Sequence, residues 1–183
     1  MTARQSIIAF AGRRVDPPGA AYRRFPPQMI PHVKQQLRSC FSQLRPSRLV
    51  CAAAAGADLL ALSVAKELRI PYTLILPTTE KTFREKSVAD RPGEWLAVYD
   101  AAVRWAKKLD TFHTLQLPAS TTSYLRGNES ILDGALACAG NASSVIAVAA
   151  WDGRARDDDD VTAAFLASAR SRGFATQELL TLD

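Results

Sequence analysis

The sequence predicts an α/β fold: one domain over residues 1–183 built as a single Rossmann-like, doubly wound, mainly parallel sheet with helices on both faces. Three observations predict it. Two short runs, SIIAFA at 6–11 and SVIAVAA at 144–150, are apolar from end to end, as strands covered on both faces are. Strand-like runs alternate with helical patterns along the chain, which demands parallel pairing through right-handed crossovers. Alanine occurs 31 times, favouring helices packed close to their neighbours and leaving little bulk for an all-β core.

Each element has a local reason. The run 6–11 is a strand ended by Gly12, and the polar, proline-rich segment GRRVDPPGAAYRRF follows as a loop. Pro26-Pro27 suits a helix start, and Met29, Val33, Leu37, Phe41 and Leu44 form an apolar stripe at helical spacing that ends near Arg45-Pro46. RLVCA at 48–52 reads as a strand, Gly56 breaks the chain, and ADLLALSVAKEL at 57–68 is a helix. YTLIL at 72–76 is the next strand, closed by Pro77. Two helical pieces follow, around 83–88 and over 94–108, the second with Trp95, Val98, Ala102 and Trp105 on one stripe. Residues 111–117 read as a short strand and 123–139 as a helix with Tyr124, Ile131, Ala135 and Cys138 inward, stopped by Gly140-Asn141. After the strand 144–150, a helix over 161–172 and a strand over 176–182 complete the pattern.

Composition excludes several classes. Hydrophobic residues make up 48% and charged residues 22%, so disordered, collagen-like and coiled-coil chains are ruled out. Cys40, Cys51 and Cys138 are odd in number and lack CxxC or Cys/His spacing, which argues against a disulfide framework or structural zinc and for Cys51 and Cys138 as small core residues. There is no apolar stretch of membrane-spanning length and no signal-peptide pattern, so a cytoplasmic, non-membrane protein is expected. The net charge of +5 is unevenly distributed: residues 1–48 carry nine Lys or Arg against the single acid Asp16, pointing to an anionic partner on that side, whereas 152–160 hold five Asp against two Arg. Basic residues are not interleaved with aromatics, so a nucleic-acid face is not expected.

In a doubly wound sheet ligands bind beyond the carboxyl ends of the strands, where the strand order reverses. The candidates are therefore Gly12-Arg13-Arg14, Ala53–Asp58, Pro77-Thr78 and Trp151-Asp152-Gly153. Gly12 permits a tight turn, and Arg13 and Arg14 offer planar donor forks for phosphate or carboxylate; the alternative is a surface turn with solvated arginines. Arg23 and Arg24 either extend this positive rim or lie in a solvated loop. The small residues of AAAAGAD at 52–58 leave a backbone-lined floor whose helix start can meet a phosphate or ribose; the alternative is close helix-to-sheet packing with Asp58 as a first-turn acid. Asn128 is an amide in an apolar helix and needs a partner, either a ligand or a structural hydrogen bond.

The succession IIAFAGRR (7–14), CAAAAGADLL (51–60), LILP (74–77), TFREKSV with Phe83 and Ser87, YLRGN (124–128) and AAWDG (149–153) resembles the SLOG group, sensory relatives of the LOG and DprA-like Rossmann proteins that precede other signalling modules in bacterial chains. The resemblance runs over residues 6–173. It implies binding of a nucleotide or nucleotide-derived signal, such as an ADP-ribose-type molecule, at the carboxyl edge of the sheet. It further implies phosphate contact for Gly12, Arg13, Arg14 and for Ala55, Gly56, Ala57, Asp58, and base or ribose contact for Pro77, Asn128, Trp151, Asp152 and Gly153. Phe83 and Ser87 match as well, Phe83 as a lid, a stacking residue or a core aromatic.

Two departures bear on chemistry. LOG-type phosphoribohydrolases carry PGGxGTxxE, whereas this chain has DDDDVTAAF, in which only Thr162 matches. The hydrolytic apparatus and any catalytic residue are therefore expected to be missing, and no cofactor is implied. The alternative enzyme reading is a nucleoside-monophosphate phosphoribohydrolase in which Asp58 or Asp152 replaces the missing Glu. The paired glycines of the sensory pattern are replaced by Asp160 and Val161, so Asp160 reads as a helix N-cap and not as part of a phosphate nest. The run Asp157–Asp160 reads as a solvated acidic loop, with a divalent cation as the alternative; no metal ligand set is assigned. A third reading is an interaction module whose alanine-rich helices form a homodimer. An effector protein in trans is the expected recipient of any signal.

Overall fold

In the computed structural model, which describes residues 6–157 and 160–182, the strands β1 (Ile7–Gly12), β2 (Arg48–Cys51), β3 (Tyr72–Leu76), β4 (Phe112–Thr114), β5 (Val145–Trp151) and β6 (Ala175–Leu180) form one sheet. The order is β4-β3-β2-β1-β5-β6, and every neighbouring pair is parallel. β1 and β5 occupy the middle, in register from Ile7 opposite Val145 to Gly12 opposite Ala150. Their unbroken apolar character follows from that position, because both faces are covered.

The helices α1 (Ile30–Leu44), α2 (Ala57–Glu67), α3 (Glu80–Ser87) and α4 (Trp95–Lys108) cover one face, and α5 (Thr121–Ala139) and α6 (Val161–Ser171) the other. Alternation along β1 sorts its side chains. Ile8 and Phe10 join the first core, where Phe10 meets Phe41 of α1 edge to face at 6.5 Å. Ile7, Ala9 and Ala11 join the second, with Ala147 and Ala149 of β5. The second face is thus paved with small residues, which lets α5 lie close to the sheet. At Gly134 of α5 a methyl group would stand only 3.0 Å from Ile75 Cδ1.

The element order matches the expected alternation, with local differences. Pro27–Met29 form a 3-10 turn before α1 proper begins at Ile30, because Pro31 needs an early place in the helix where its missing N–H is harmless. β4 is three residues long, not seven, since after Thr114 the chain turns away, with Leu115 and Leu117 still donating to Leu76 and Pro77. The last strand starts one residue earlier and ends two residues earlier than expected. On α4 the buried stripe is Trp95, Tyr99, Ala102, Val103 and Ala106, and Trp105 is 52% exposed. Cys138 is also exposed, which corrects its reading as a core residue: the buried side of α5 runs through Gly127, Ile131, Leu132 and Ala135. Cys40 and Cys51 are buried. Among the described residues, no helix is long and apolar enough to cross a membrane.

A candidate ligand cavity at the carboxyl edge

Because the strands are parallel, their carboxyl ends open on one edge. Chain leaving β1 and chain leaving β5 depart to opposite faces, so a crevice remains between them. A cavity of about 580 Å³ occupies this edge. Gly12 and Arg14 line it from the end of β1, Ala52, Ala54 and Asp58 from the β2–α2 connection, and Pro77 from the end of β3. Phe83, Lys86 and Ser87 of α3 and Tyr124, Gly127 and Asn128 of α5 form the walls, and Arg156, Asp160 and Thr162 complete the side toward α6.

The floor is closed by a bridge between the segments that follow β1 and β2. Val15 N–H donates to Ala55 O at 3.0 Å and Ala57 N–H to Arg13 O at 3.0 Å, so Arg14 and Gly56 face each other as an antiparallel pair. Gly56 stands at φ +126°, and a Cβ there would lie 2.4 Å from the Val15 nitrogen. Only glycine fits this crossing. Gly12 is as constrained, with an added Cβ 2.4 Å from the Ala57 side chain. The consequence corrects an expectation. Ala55, Gly56 and Ala57 form the back of the floor and do not line the cavity; the Ala55 and Ala57 N–H groups are bound to Ser87 O and Arg13 O, so they are not open to a phosphate.

Arg13 is 4% exposed, and its guanidinium serves this chain's own carboxylates. Nε donates to Asp152 at 2.8 Å, Nη1 and Nη2 reach both oxygens of Asp160 at 2.9 and 2.7 Å, and Nη2 also meets Arg154 O at 2.9 Å. Arg24 adds a second cation to Asp152 at 2.9 Å, so it is an ion-pair partner and not a solvated loop residue. Asp160 caps α6 by accepting from Thr162 N–H and Ala163 N–H, each at 3.0 Å. Burial pushes its carboxyl up, but Arg13 and the N–H groups of Ala163 and Arg156 outweigh that and hold it down at about 2. A carboxylate of the chain thus occupies the helix N-terminus where an anionic ligand would otherwise sit. Trp151, Asp152 and Gly153 do not line the cavity; Asp152 and Trp151 belong to this clamp, Trp151 lying beneath the Arg13 guanidinium at 5.6 Å and donating from Nε1 to Glu178 at 2.8 Å. Asp158 and Asp159, part of the acidic run, lie outside the described residues.

Asp58 sits on the floor and is 6% exposed. Oδ2 accepts from Ala54 N–H at 3.1 Å, while Oδ1 meets no donor at hydrogen-bond geometry. Burial pushes its carboxyl up to about 7, against the opposing pull of the Ala54 and Gly12 backbone N–H groups and the Arg14 charge. Arg14 pairs with Asp90 through Nη2, and its Nε is buried without a partner. Lys86 makes no side-chain ion pair with another described residue, and Arg156 stands next to Asp157, which also lines the cavity. Ser87 Oγ and Tyr124 Oη share a hydrogen bond at 2.8 Å that ties α3 to α5. Phe83 is 1% exposed, with Tyr99 at 6.3 Å and Tyr124 at 6.4 Å, and so is a core aromatic that shows the cavity one edge. Asn128 donates to Val161 O at 2.9 Å, the structural hydrogen bond of its two readings, while its residue also lines the cavity.

Of the positions expected at the site, the fold brings Gly12, Arg14, Asp58, Pro77, Phe83, Ser87, Asn128 and Thr162 around one cavity, together with part of Arg13. Lys86, Tyr124, Gly127 and Arg156 were not expected there. Tyr124 and Gly127 fall within YLRGN and had that signal. Lys86 falls within TFREKSV and had the same signal; Arg156, in an acidic loop, had none.

Fold and cavity together define the class of protein: an α/β chain with a parallel Rossmann-like sheet and a binding-sized cavity at its carboxyl edge. No family model matches the chain, and no curated protein matches it in sequence. Among solved structures it is similar to DNA processing protein A (DprA) from Streptococcus pneumoniae, with a TM-score of 0.56 at 13% identity over 95% of this chain and 50% of that one. The likeness is one of fold, and the chain spans half the length of the solved protein it matches.

Proposed function

We propose that this chain is a SLOG-type sensor domain that binds a nucleotide or nucleotide-derived signal in the carboxyl-edge cavity, performs no chemistry on it, and passes occupancy to an effector protein or to a second copy of itself. The observation that carries the reading is the cavity itself. Its volume of about 580 Å³ suits one small ligand, it lies where the strand order reverses, and its lining joins a small-residue floor to an aromatic wall and to the cationic side chains of Arg14, Lys86 and Arg156. The self-capped start of α6 favours phosphate contact at Lys86 and Arg156 over a backbone nest. Among the cavity's carboxylates, the elevated Asp58 favours one second reading, N-glycosidic hydrolysis with Asp58 as the acid; Asp152, held in the clamp, does not serve it.

The test is a thermal-shift screen of the purified chain against mono-, di-, cyclic and ADP-ribose-type nucleotides, because a ligand that binds only the folded state raises the melting temperature. A rise of several degrees that shrinks in Lys86→Ala and Arg14→Ala is the expected result. No shift with any compound overturns the reading in favour of an interaction module. Free base released in the same mixtures, and lost in Asp58→Asn, would replace the sensor by the hydrolase.

A further inference from the structure

We propose that Asp58 and Arg14 form a hydroxyl-recognition subsite on the cavity floor, so that the ligand is a phosphorylated sugar compound read through a free ribose-type hydroxyl. The inference rests on the cavity being a ligand site and names the chemical class it takes.

Among the described residues, two buried side-chain polar atoms lack a hydrogen-bond partner, Arg14 Nε and Asp58 Oδ1. Both belong to residues that line this one cavity. Leaving such a group unmade costs about 1–3 kcal/mol, so a pair of them at one site calls for a shared partner. Each side chain is already fixed by its other atoms, Asp58 by Ala54 N–H at 3.1 Å and Arg14 by its ion pair with Asp90. With Asp58 ionised, as it is above about pH 7, the free valences are one N–H that must donate and one carboxylate oxygen that must accept. A phosphate oxygen satisfies the first and is repelled by the second. An ammonium satisfies the second and is repelled by the first. A hydroxyl does both, accepting from Arg14 Nε–H and donating to Asp58 Oδ1. Lys86 and Arg156, also on the lining, are left for the ligand's phosphate.

The experiment titrates the chain at pH 8, where Asp58 is ionised, with AMP, GMP, CMP and UMP and with their 2′-deoxy and 3′-deoxy forms, by calorimetry, alongside ribose 5-phosphate and 2-deoxyribose 5-phosphate. A site built to hydrogen-bond a hydroxyl rejects the analogue that lacks it, so removal of one ribose hydroxyl is expected to weaken binding at least about tenfold. Asp58→Asn, which keeps the side-chain volume, is expected to erase most of that discrimination; the deoxy compounds on the unaltered chain decide the matter should the variant not fold. Deoxy and ribo forms binding alike overturn the subsite while leaving the sensor reading standing, and so does discrimination that survives in a folded Asp58→Asn. Should none of the four monophosphates bind, the sugar phosphates decide the subsite, while the nucleotide reading stands or falls on the wider screen: ribose 5-phosphate bound in preference to its 2-deoxy form upholds the subsite, and neither or both bound alike overturns it.

Discussion

At the scale of single residues, Arg13 and Arg14 are neighbours with opposite assignments. Arg13 ends β1 beside β5, is 4% exposed, and meets two carboxylates that are themselves buried. Arg14, one residue on, turns toward α3 and the cavity. Breaking a buried ion pair from one side leaves charges without compensation, so Arg13→Ala is expected to destabilise the protein by about 3–5 kcal/mol, read as a lower urea midpoint. An unchanged midpoint would remove Arg13 from the clamp. By the same reasoning Arg13→Ala is a poor probe of ligand binding, and Arg14→Ala is the informative variant. No local signal separates the two arginines, because which side of the chain each faces depends on where β5 and α6 lie.

At the scale of elements, the crossing of the β1–loop and β2–α2 segments decides the shape of the floor. Gly56 accepts it through a backbone conformation closed to other residues and through the close approach of Val15 N and Arg13 O. Gly56→Ala is expected to cost about 3 kcal/mol or more, since strain and contact with backbone add. Gly173→Ala, also at positive φ but with nothing within 4 Å of an added Cβ, is expected to cost about 1 kcal/mol. Equal losses in guanidinium unfolding would show that backbone conformation alone, and not the crossing, makes Gly56 necessary. The glycine was legible in AAAAGAD as a chain break before a helix. Its partner segment was not, since the pairing of Arg14 with Gly56 joins residues far apart in sequence.

At the scale of the whole molecule, two buried carboxyls set opposite pH limbs on stability. Folded Asp58 holds its proton up to about 7, whereas the unfolded chain releases it near 3.8, so the folded state binds more protons between these values and stability falls as pH rises through the window. The fall is at most about 4 kcal/mol and levels off above 7. Asp160 runs the other way: held at about 2, it stabilises the fold above the ordinary carboxylate range, and that contribution is lost as pH falls from 3.8 toward 2. Unfolding free energy followed from pH 3 to pH 8 is expected to decline above about pH 4 in the unaltered chain and to lose that decline in Asp58→Asn. A profile flat from 4 to 7 in both proteins would show that Asp58 titrates normally.

The sequence by itself determined the alternation of strands and helices, the parallel sheet and the edge at which to look, because buried strands, helical stripes and glycine or proline stops are written in neighbouring residues. It also identified the cap at Asp160 and about half of the polar and glycine positions around the cavity. Tertiary structure alone decided which of these face the cavity. It enclosed Arg13, Asp152 and Asp160 in a clamp, placed Trp151 against it, kept Gly153 off the cavity, turned Cys138 and Trp105 outward, and brought Lys86 and Arg156 to the cavity. The physical reason is that a side chain's partner and its exposure depend on the elements packed against it. Here those elements come from the opposite end of the chain: β1 is next to β5, and the residues after β1 are held by the segment that leads into α6.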